Sequence, residues 1–233
     1  MQKERVLVTG ASGFIGSNLL DYLLEKDYEV IGLSRQKNLP KIHPHLTWIR
    51  ALEELKHDRI DYVVNLAGES IAQGRWTDAR KQKLIASRVE TTTMLYQYLA
   101  KRKIQPKCII SGSAVGYYGI DPTEQWTECC NEQSAPQSIF MSELCQKWEQ
   151  SARQDTSQNT KIIRLGVVFG RGAGILPQML FPIKMNLCGR IGSGRQPVVW
   201  VHIQDVLRAI EFLMLHETTA QVFNVVSPEK VTQ

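Results

Sequence analysis

Short apolar runs alternate with amphipathic stretches along the whole chain. The β-rich runs fall at Arg5–Thr9, Glu29–Leu33, Leu46–Arg50, Tyr62–Leu66, Lys107–Ser111, Lys161–Phe169 and Val222–Val226. Most of their centres, such as Val6-Leu7-Val8, Val63-Val64 and Cys108-Ile109-Ile110, are apolar at consecutive positions. A strand reads this way when both its faces are buried, as in a parallel sheet with helices on either side. Helical spacing lies between the runs. Ile15, Leu19 and Leu23 repeat every four residues, as do Phe140, Leu144 and Trp148, and Ile85, Val89 and Leu99 line a longer helix over about Asp78–Lys101. The alternation predicts an α/β fold with a doubly wound parallel sheet.

The pattern changes after Phe169. Gly170, Gly172, Gly174, Gly189, Gly192 and Gly194, with Pro177, Pro182 and Pro197, punctuate the C-terminal stretch. No linker or internal repeat precedes this change. Residues 1–169 therefore read as a core. Residues 170–233 read as a small irregular substrate-side lobe interleaved with the last core strand, Val222–Val226.

The first strand leads into Gly10, Gly13 and Gly16, and an amphipathic helix comes next. In that context a glycine triplet is a dinucleotide cradle, which makes the sheet Rossmann-like. The first glycine allows a sharp turn, the second admits a pyrophosphate close to the backbone, and the third lets helix and strand pack tightly. Free N–H groups and the helix dipole attract the phosphates. Gly10, Ser12, Gly13, Phe14, Ile15 and Gly16 are thus candidate cofactor contacts. An acid normally ends the second strand and binds the ribose hydroxyls of NAD. Here the strand ends in Gly32-Leu33-Ser34-Arg35. Arg35 can pair with a 2′-phosphate and Ser34 can bond to it, which favours NADP(H) over NAD(H).

Composition narrows the setting. The 233 residues are 43% hydrophobic and carry a net charge of +5. No apolar run approaches the ~18–20 residues of a membrane span, and the N-terminus lacks a signal-peptide pattern. Cys108, Cys129, Cys130, Cys145 and Cys188 have neither metal spacing nor a paired framework, so reduced thiols in the cytoplasm are expected and no metal site. Residues 75–107 hold nine Lys/Arg against Asp78 and Glu90, a local +7. Such a field suits an anionic small molecule. It lacks the aromatic strip of a nucleic-acid surface, and no nucleic-acid or membrane partner is expected.

Thr9-Gly10-Ala11-Ser12-Gly13-Phe14-Ile15-Gly16 resembles the extended short-chain dehydrogenase/reductase superfamily, and Asn65-Leu66-Ala67-Gly68-Glu69 looks like its Asn-Ala-Gly segment. Arg75-Trp76-Thr77, Ser87-Arg88-Val89, Ser111-Gly112-Ser113-Ala114 with Gly116-Tyr117-Tyr118-Gly119, Trp148-Glu149, Arg164-Leu165-Gly166-Val167-Val168 and Trp200-Val201-His202-Ile203 are more particular. Together they resemble atypical NAD(P)-dependent epimerase/dehydratase-family proteins of uncertain substrate, over essentially the whole chain. The resemblance adds Leu66, Ala67, Gly68 and Ser111 to the cofactor contacts. It also implies a further C-terminal segment beyond the Asn224–Val231 region, so this chain is expected to be truncated.

The superfamily's Tyr and Lys, four residues apart on one helix face, exchange a proton with the substrate. The matching helix has Met141 and Cys145 when aligned on Trp148-Glu149, or Phe140 and Leu144 one residue earlier, and neither register supplies the pair. Ser113 falls at the superfamily's catalytic serine. The phenols of Tyr117 and Tyr118 are the remaining acid/base candidates, Tyr117 first, with Arg88 or the cofactor as the source of a nearby charge. Arg88 also falls near the position of a proton-relay Asn, or else makes a salt bridge across helices. Cys145 reads as a core residue and His202 as a structural hydrogen-bonding group. Two functions fit. One is an NADP(H)-binding oxidoreductase or epimerase-like enzyme acting on a small polar substrate, with a nucleotide-linked one among the options. The other is a non-catalytic NADP(H)-binding regulator or interaction module. Relatives often dimerise through helices that here span about Asp78–Lys101 and Ser138–Arg153, which makes a homodimer an expectation.

Overall fold

The structure, a computed structural model, describes residues 3–232 except 37–38, 40, 57–58, 73, 126–128, 172–173, 186–188 and 190–192. Gly172, Cys188 and Gly192 therefore lie outside the described residues. In chain order the elements are β1 (Arg5–Thr9), α1 (Phe14–Glu25), β2 (Glu29–Leu33), β3 (Leu46–Ile49), β4 (Tyr62–Asn65), α2 (Asp78–Arg102), β5 (Cys108–Ala114), α3 (Phe140–Ala152), β6 (Thr160–Leu165), β7 (Val167–Phe169), α4 (Leu176–Lys184), β8 (Trp200–His202), α5 (Ile203–Leu215) and β9 (Val222–Val225). A seven-stranded sheet runs β3-β2-β1-β4-β5-β6-β9. Every pairing is parallel, so the fold is the doubly wound α/β sheet expected from the sequence.

Period-two geometry divides the strand residues between two cores. Val6, Val8, Val30, Val64, Ile110 and Ile163 pack with Leu19, Leu23, Val206 and Ile210 of α1 and α5. Leu7, Ile31, Val63 and Ile109 face the other way and pack with Leu95 and Leu99 of α2 and Ala152 of α3. Both faces are covered, which explains strands that are apolar at successive positions. Lys161 lies in this frame almost fully buried. Its ammonium donates to the carbonyls of Leu213 and His216, each at 2.7 Å. A cation there satisfies carbonyls at the end of α5 and complements the helix dipole.

Three expectations change. The run Lys161–Phe169 is two strands: Gly166 donates its N–H to Val225 O at 3.2 Å, and Val167 then pairs with Trp200 in a separate two-stranded sheet. A Cβ on Gly166 would stand 2.8 Å from Val199 O, so glycine permits the crossing. On α2 the buried stripe is Leu84, Arg88, Thr92, Leu95 and Leu99, one residue off the Ile85–Val89 line. β5 continues to Ala114, so Ser113 belongs to the strand and not to the loop after it. Among the described residues no helix is long and apolar enough to cross a membrane.

Candidate functional site

The strand order reverses beside β1, which is flanked by β2 and β4. Ligands of open α/β sheets bind at the carboxyl side of such a switch point. Thr9 ends β1 there and Gly10 turns the chain at φ 65°. A Cβ on Gly10 would stand 2.7 Å from Leu66 O, and one on Gly16 would stand 2.3 Å from Gly10 O. Glycine is therefore required at both positions, for the left-handed turn and for the close approach of α1. Gly13 donates to Gly10 O at 2.9 Å and then serves as the N-cap of α1 without a side-chain cap. No acid occupies the first turn. The first N–H groups and the positive end of the dipole are thus available to an anion.

The neighbouring contacts complete this cradle. Ser34 Oγ donates to Ser12 Oγ at 2.7 Å, tying the end of β2 to the glycine loop. Arg35 is exposed and, among the described residues, has no hydrogen-bond or ion-pair partner. Ile15 packs against the α1–α5 core. A Cβ on Gly170 or Gly174 would lie 2.8 or 3.0 Å from the Phe14 ring, so the segment after β7 rests on the start of α1.

Across the carboxyl end of the α2–α3 face the strand residues become polar. Thr9 Oγ1 donates to Asn65 Oδ1 at 2.7 Å, and Asn65 Nδ2 donates to Thr92 Oγ1 at 2.9 Å and to Ser111 Oγ at 3.4 Å. All four residues are fully buried. Ala67 donates its N–H to Thr9 Oγ1 at 3.2 Å and Leu66 to Thr9 O at 3.3 Å, so this network fixes the Leu66-Ala67-Gly68 segment beside the cradle. The side chain of Ser111 faces this network and not the cleft.

A second row lies two residues further along. Ser113, Arg164 and Asn224 are register partners on β5, β6 and β9. Ser113 Oγ donates to Glu149 Oε1 at 2.8 Å. Arg164 grips the same carboxylate from Nε at 2.8 Å and Nη2 at 2.9 Å. Ser113, Glu149 and Arg164 are each at most 2% exposed. Arg164 Nη1 donates to Tyr118 Oη at 2.9 Å, and Tyr118 donates to Asn224 Oδ1 at 2.7 Å. Glu132 straps the edge by accepting from Asn224 N at 2.8 Å and, through its carbonyl, from Arg164 at 3.2 Å. Desolvation alone would lower the Arg164 pKa, but the bonds to Glu149 and Tyr118 outweigh it and hold it above the ordinary value.

Tyr117 and Tyr118 have separated roles. The Arg164 guanidinium lies 3.5 Å from the Tyr117 ring centroid and 5.0 Å from that of Tyr118. The cation beside the tyrosines is thus Arg164, not Arg88. The Tyr117 hydroxyl has no hydrogen bond among the described residues. Its residue borders a cavity of about 500 Å³ lined also by Gln146, Glu149, Gln150, Arg153 and Gln154. Ser113 meets Glu149 instead of standing free at a strand end.

Met141 and Cys145 do face the loop after β5, since a Cβ on Gly116 would lie 3.2 Å from Met141 Cε and 3.9 Å from Cys145 Sγ. Burial pushes the Cys145 thiol up to about 11, which suits a core residue and not a nucleophile. Arg88 makes no salt bridge across helices among the described residues; it donates to Glu69 O at 2.8 Å and Leu84 O at 3.1 Å. His202 caps α5, accepting from Gln204 N at 3.3 Å. The basic stretch is partly neutralised: Arg80 and Lys83 pair with Glu69, and Lys81 with Asp78.

Periodicity and motif spacing assign no site role to Glu149, Arg164, Glu132 or Asn224. A signal is present: Arg164 interrupts Ile162-Ile163 and Leu165, and Glu149 adjoins Trp148 on a buried helix face. Removing one member of a fully buried pair leaves an uncompensated charge. Glu149→Leu should therefore cost about 3–5 kcal/mol. Adding Arg164→Leu should recover part of that loss, giving a coupling above ~1 kcal/mol in a double-mutant cycle read by urea unfolding.

The chain matches the model of the NAD dependent epimerase/dehydratase family over residues 6–226. It is 36% identical over 230 residues to the epimerase family protein SSP1921 of Staphylococcus saprophyticus, covering 97% of this chain and 76% of that protein. The crystal structure of human epimerase family protein SDR39U1 (isoform 2) with NADPH is 34% identical with a TM-score of 0.83, over 98% of this chain and 76% of that one. UDP-glucuronic acid 4-epimerase from Bacillus cereus, solved with UDP-glucuronic acid and NAD, shares the fold at a TM-score of 0.82 and 20% identity, over 98% of this chain and 79% of that one. With the family match over residues 6–226, these relatives and the glycine cradle in place, the chain belongs to the NAD dependent epimerase/dehydratase family.

Proposed function

We propose that this protein is a cytoplasmic NADP(H)-binding oxidoreductase or epimerase-like enzyme acting on a small polar, anionic or nucleotide-linked substrate. The observation that carries the cofactor reading is the cradle at the switch point, with Ser34 bonded to Ser12 and the exposed, unpartnered Arg35 where an NAD enzyme would carry an acid. A carboxylate there would repel a 2′-phosphate, whereas a guanidinium attracts it. The pyrophosphate would lie over Gly10–Gly16, and the nicotinamide half would extend past Leu66, Ala67 and Gly68 toward Tyr117. The NADPH in the human relative's structure favours the same choice. The free thiols of Cys108, Cys129, Cys130 and Cys145 suit a reducing compartment.

When bound, NADP(H) would supply hydride transfer. The chain's own residues would then orient the substrate and move a proton. Tyr117 is the acid/base in this reading, because its hydroxyl makes no hydrogen bond among the described residues and the residue borders a cavity. Tyr118 holds the frame through Arg164 and Asn224, and Ser113 acts through Glu149. The second reading, a non-catalytic NADP(H)-binding regulator, is favoured by Met141 and Cys145 standing where a Tyr/Lys pair would face the cleft.

Arg35→Ala should weaken NADPH far more than NADH in fluorescence titrations; equal weakening, or tighter NADH binding by the parent protein, overturns the preference. A carbonyl and sugar-nucleotide panel should yield hydride exchange, and Tyr117→Phe should lower that rate about 10²–10⁴-fold with NADPH affinity intact; no turnover anywhere supports the regulator. A homodimer through α2 and α3 should scatter light at twice the 26.5 kDa chain mass, and a monomer mass at tens of micromolar refutes it.

A further inference from the structure

Cys129 and Cys130 are adjacent thiols that the cleft chemistry leaves unused. Both are exposed and free, and neither has a hydrogen-bond partner among the described residues. Cys108 and Cys145 differ: each is buried, and burial pushes each thiol up to about 11. The thiolate is the species that attacks a disulfide, and the attack needs access. Exposure opens the adjacent pair to exchange, while burial withholds the other two.

Adjacency gives the pair a chemistry that a single thiol lacks. Once one sulfur carries a mixed disulfide, the other stands beside it as an intramolecular nucleophile. The ring so formed is strained. Neighbouring Cα atoms lie about 3.8 Å apart across a trans peptide, short of the ~4.4–6.8 Å that an ordinary disulfide spans. Closure therefore has to turn the backbone at the pair, and the strain keeps the bond easy to reduce. Such a bond opens in a reducing medium and forms only when the thiol–disulfide pool becomes oxidised.

The backbone that closure would turn leads directly to the strap over the polar end of the sheet. The N–H of Asn131, in the peptide group that begins at Cys130, donates to Ser134 Oγ at 2.9 Å. Ser134 N donates to Asn131 O at 3.0 Å, and Gln133 N to Asn131 Oδ1 at 3.0 Å. This turn carries Glu132. Its carboxylate accepts from Asn224 N at 2.8 Å and its carbonyl from Arg164 Nη1 at 3.2 Å. Arg164 and Asn224 are the two residues that hold the Tyr118 hydroxyl. Two residues thus separate the thiol pair from a contact that joins β6, β9 and Tyr118.

We propose that Cys129 and Cys130 are a redox-modification site, oxidised by a small-molecule disulfide to a vicinal disulfide whose closure pulls Glu132 away from Asn224. One protein thiolate attacks the small disulfide, forms a mixed disulfide and releases one small thiol. The neighbouring thiol gives up its proton, attacks the protein-side sulfur and releases the second small thiol. Two protein thiols lose two electrons and two protons, and one small disulfide becomes two thiols. The cofactor reading plays no part in this step or in its test.

The probe is glutathione disulfide, added to the reduced full chain. Cleavage after Glu128 and Glu132 isolates both cysteines in one peptide. That peptide should be lighter by two hydrogens, and dithiothreitol should restore its mass. Amide exchange of Asn224, followed by NMR, should become at least about fivefold faster in the oxidised chain, as expected when an amide loses its acceptor. The amides of β1 and β4 should keep their rates. Cys129→Ser and Cys130→Ser lie at exposed positions, and each should hold one glutathione without the fast Asn224 exchange. An unmodified peptide, a glutathione adduct that persists on the parent, or a disulfide between two chains overturns the proposal. So does a closed ring that leaves Asn224 exchange unchanged, or fast exchange in the singly modified variants.

Discussion

A polar side chain that enters the layer between a sheet and its helices must find a partner there, because water is excluded and an unmet group costs about 1–3 kcal/mol. The α2–α3 face obeys this constraint in a graded way. Its amino-side positions, Leu7, Val63 and Ile109, are apolar. Two residues further along, period-two geometry puts Thr9, Asn65 and Ser111 on the same face, and they satisfy one another with Thr92 of α2. Another step along β5 reaches Ser113, whose row contains Arg164 and Asn224. The face is a hydrophobic core at one end and a hydrogen-bonded network at the other. The polar end adjoins the cradle.

That gradient costs stability and returns definition. A buried Arg–carboxylate pair is seldom better than a hydrophobic replacement of the same volume. Glu149 and Arg164 persist here with nearly every polar atom engaged: the carboxylate accepts from Ser113, Arg153 and both edges of Arg164, and Arg164 also donates to Tyr118 and the Glu132 carbonyl. Such a network has few alternative arrangements. It fixes three strands, α3 and the 131–132 segment at once. It also holds the Tyr117 ring beneath a guanidinium plane, which limits the rotamers open to a side chain whose hydroxyl is otherwise free.

The sheet, the cradle and the helices were legible in the sequence because each follows from local rules. Apolar runs at consecutive positions require burial on both faces, and Gly10 and Gly16 sit where a Cβ would strike backbone at 2.7 and 2.3 Å. The split at Gly166 was not legible, because its cause is the approach of Val199, more than thirty residues later in the chain. The α2 stripe was misplaced by one residue for a related reason. Periodicity gives a face to the most apolar line, and Ile85 and Val89 outrank Arg88 and Thr92 in hydrophobicity. The helix instead turns its polar pair inward, where Thr92 meets Asn65 and Arg88 meets the loop after β4. Ser113 and Glu149 were missed as partners because they are 36 residues apart in sequence.

The same geometry constrains what proton chemistry this cleft can support. Met141 and Cys145 occupy the wall facing Gly116, and the thiol is held up at about 11 by burial. The strong charges nearby are the Arg88 guanidinium and the Arg164–Glu149 pair. A guanidinium begins so high that it remains charged near neutral pH even when burial lowers it, so it can bind and polarise an anion but cannot carry a proton back and forth. In the proposed reading, charge and proton transfer therefore fall to different residues, in contrast to a lysine that shares in both. Arg164 is committed to Glu149, Tyr118 and the Glu132 carbonyl and serves as framework, so in the proposed reading a phenol exchanges the proton. Tyr118 is already spanned between Arg164 and Asn224, so moving its proton would disturb the scaffold. In the proposed reading Tyr117 acts without that penalty, since its ring is held by Arg164 and its hydroxyl makes no hydrogen bond among the described residues.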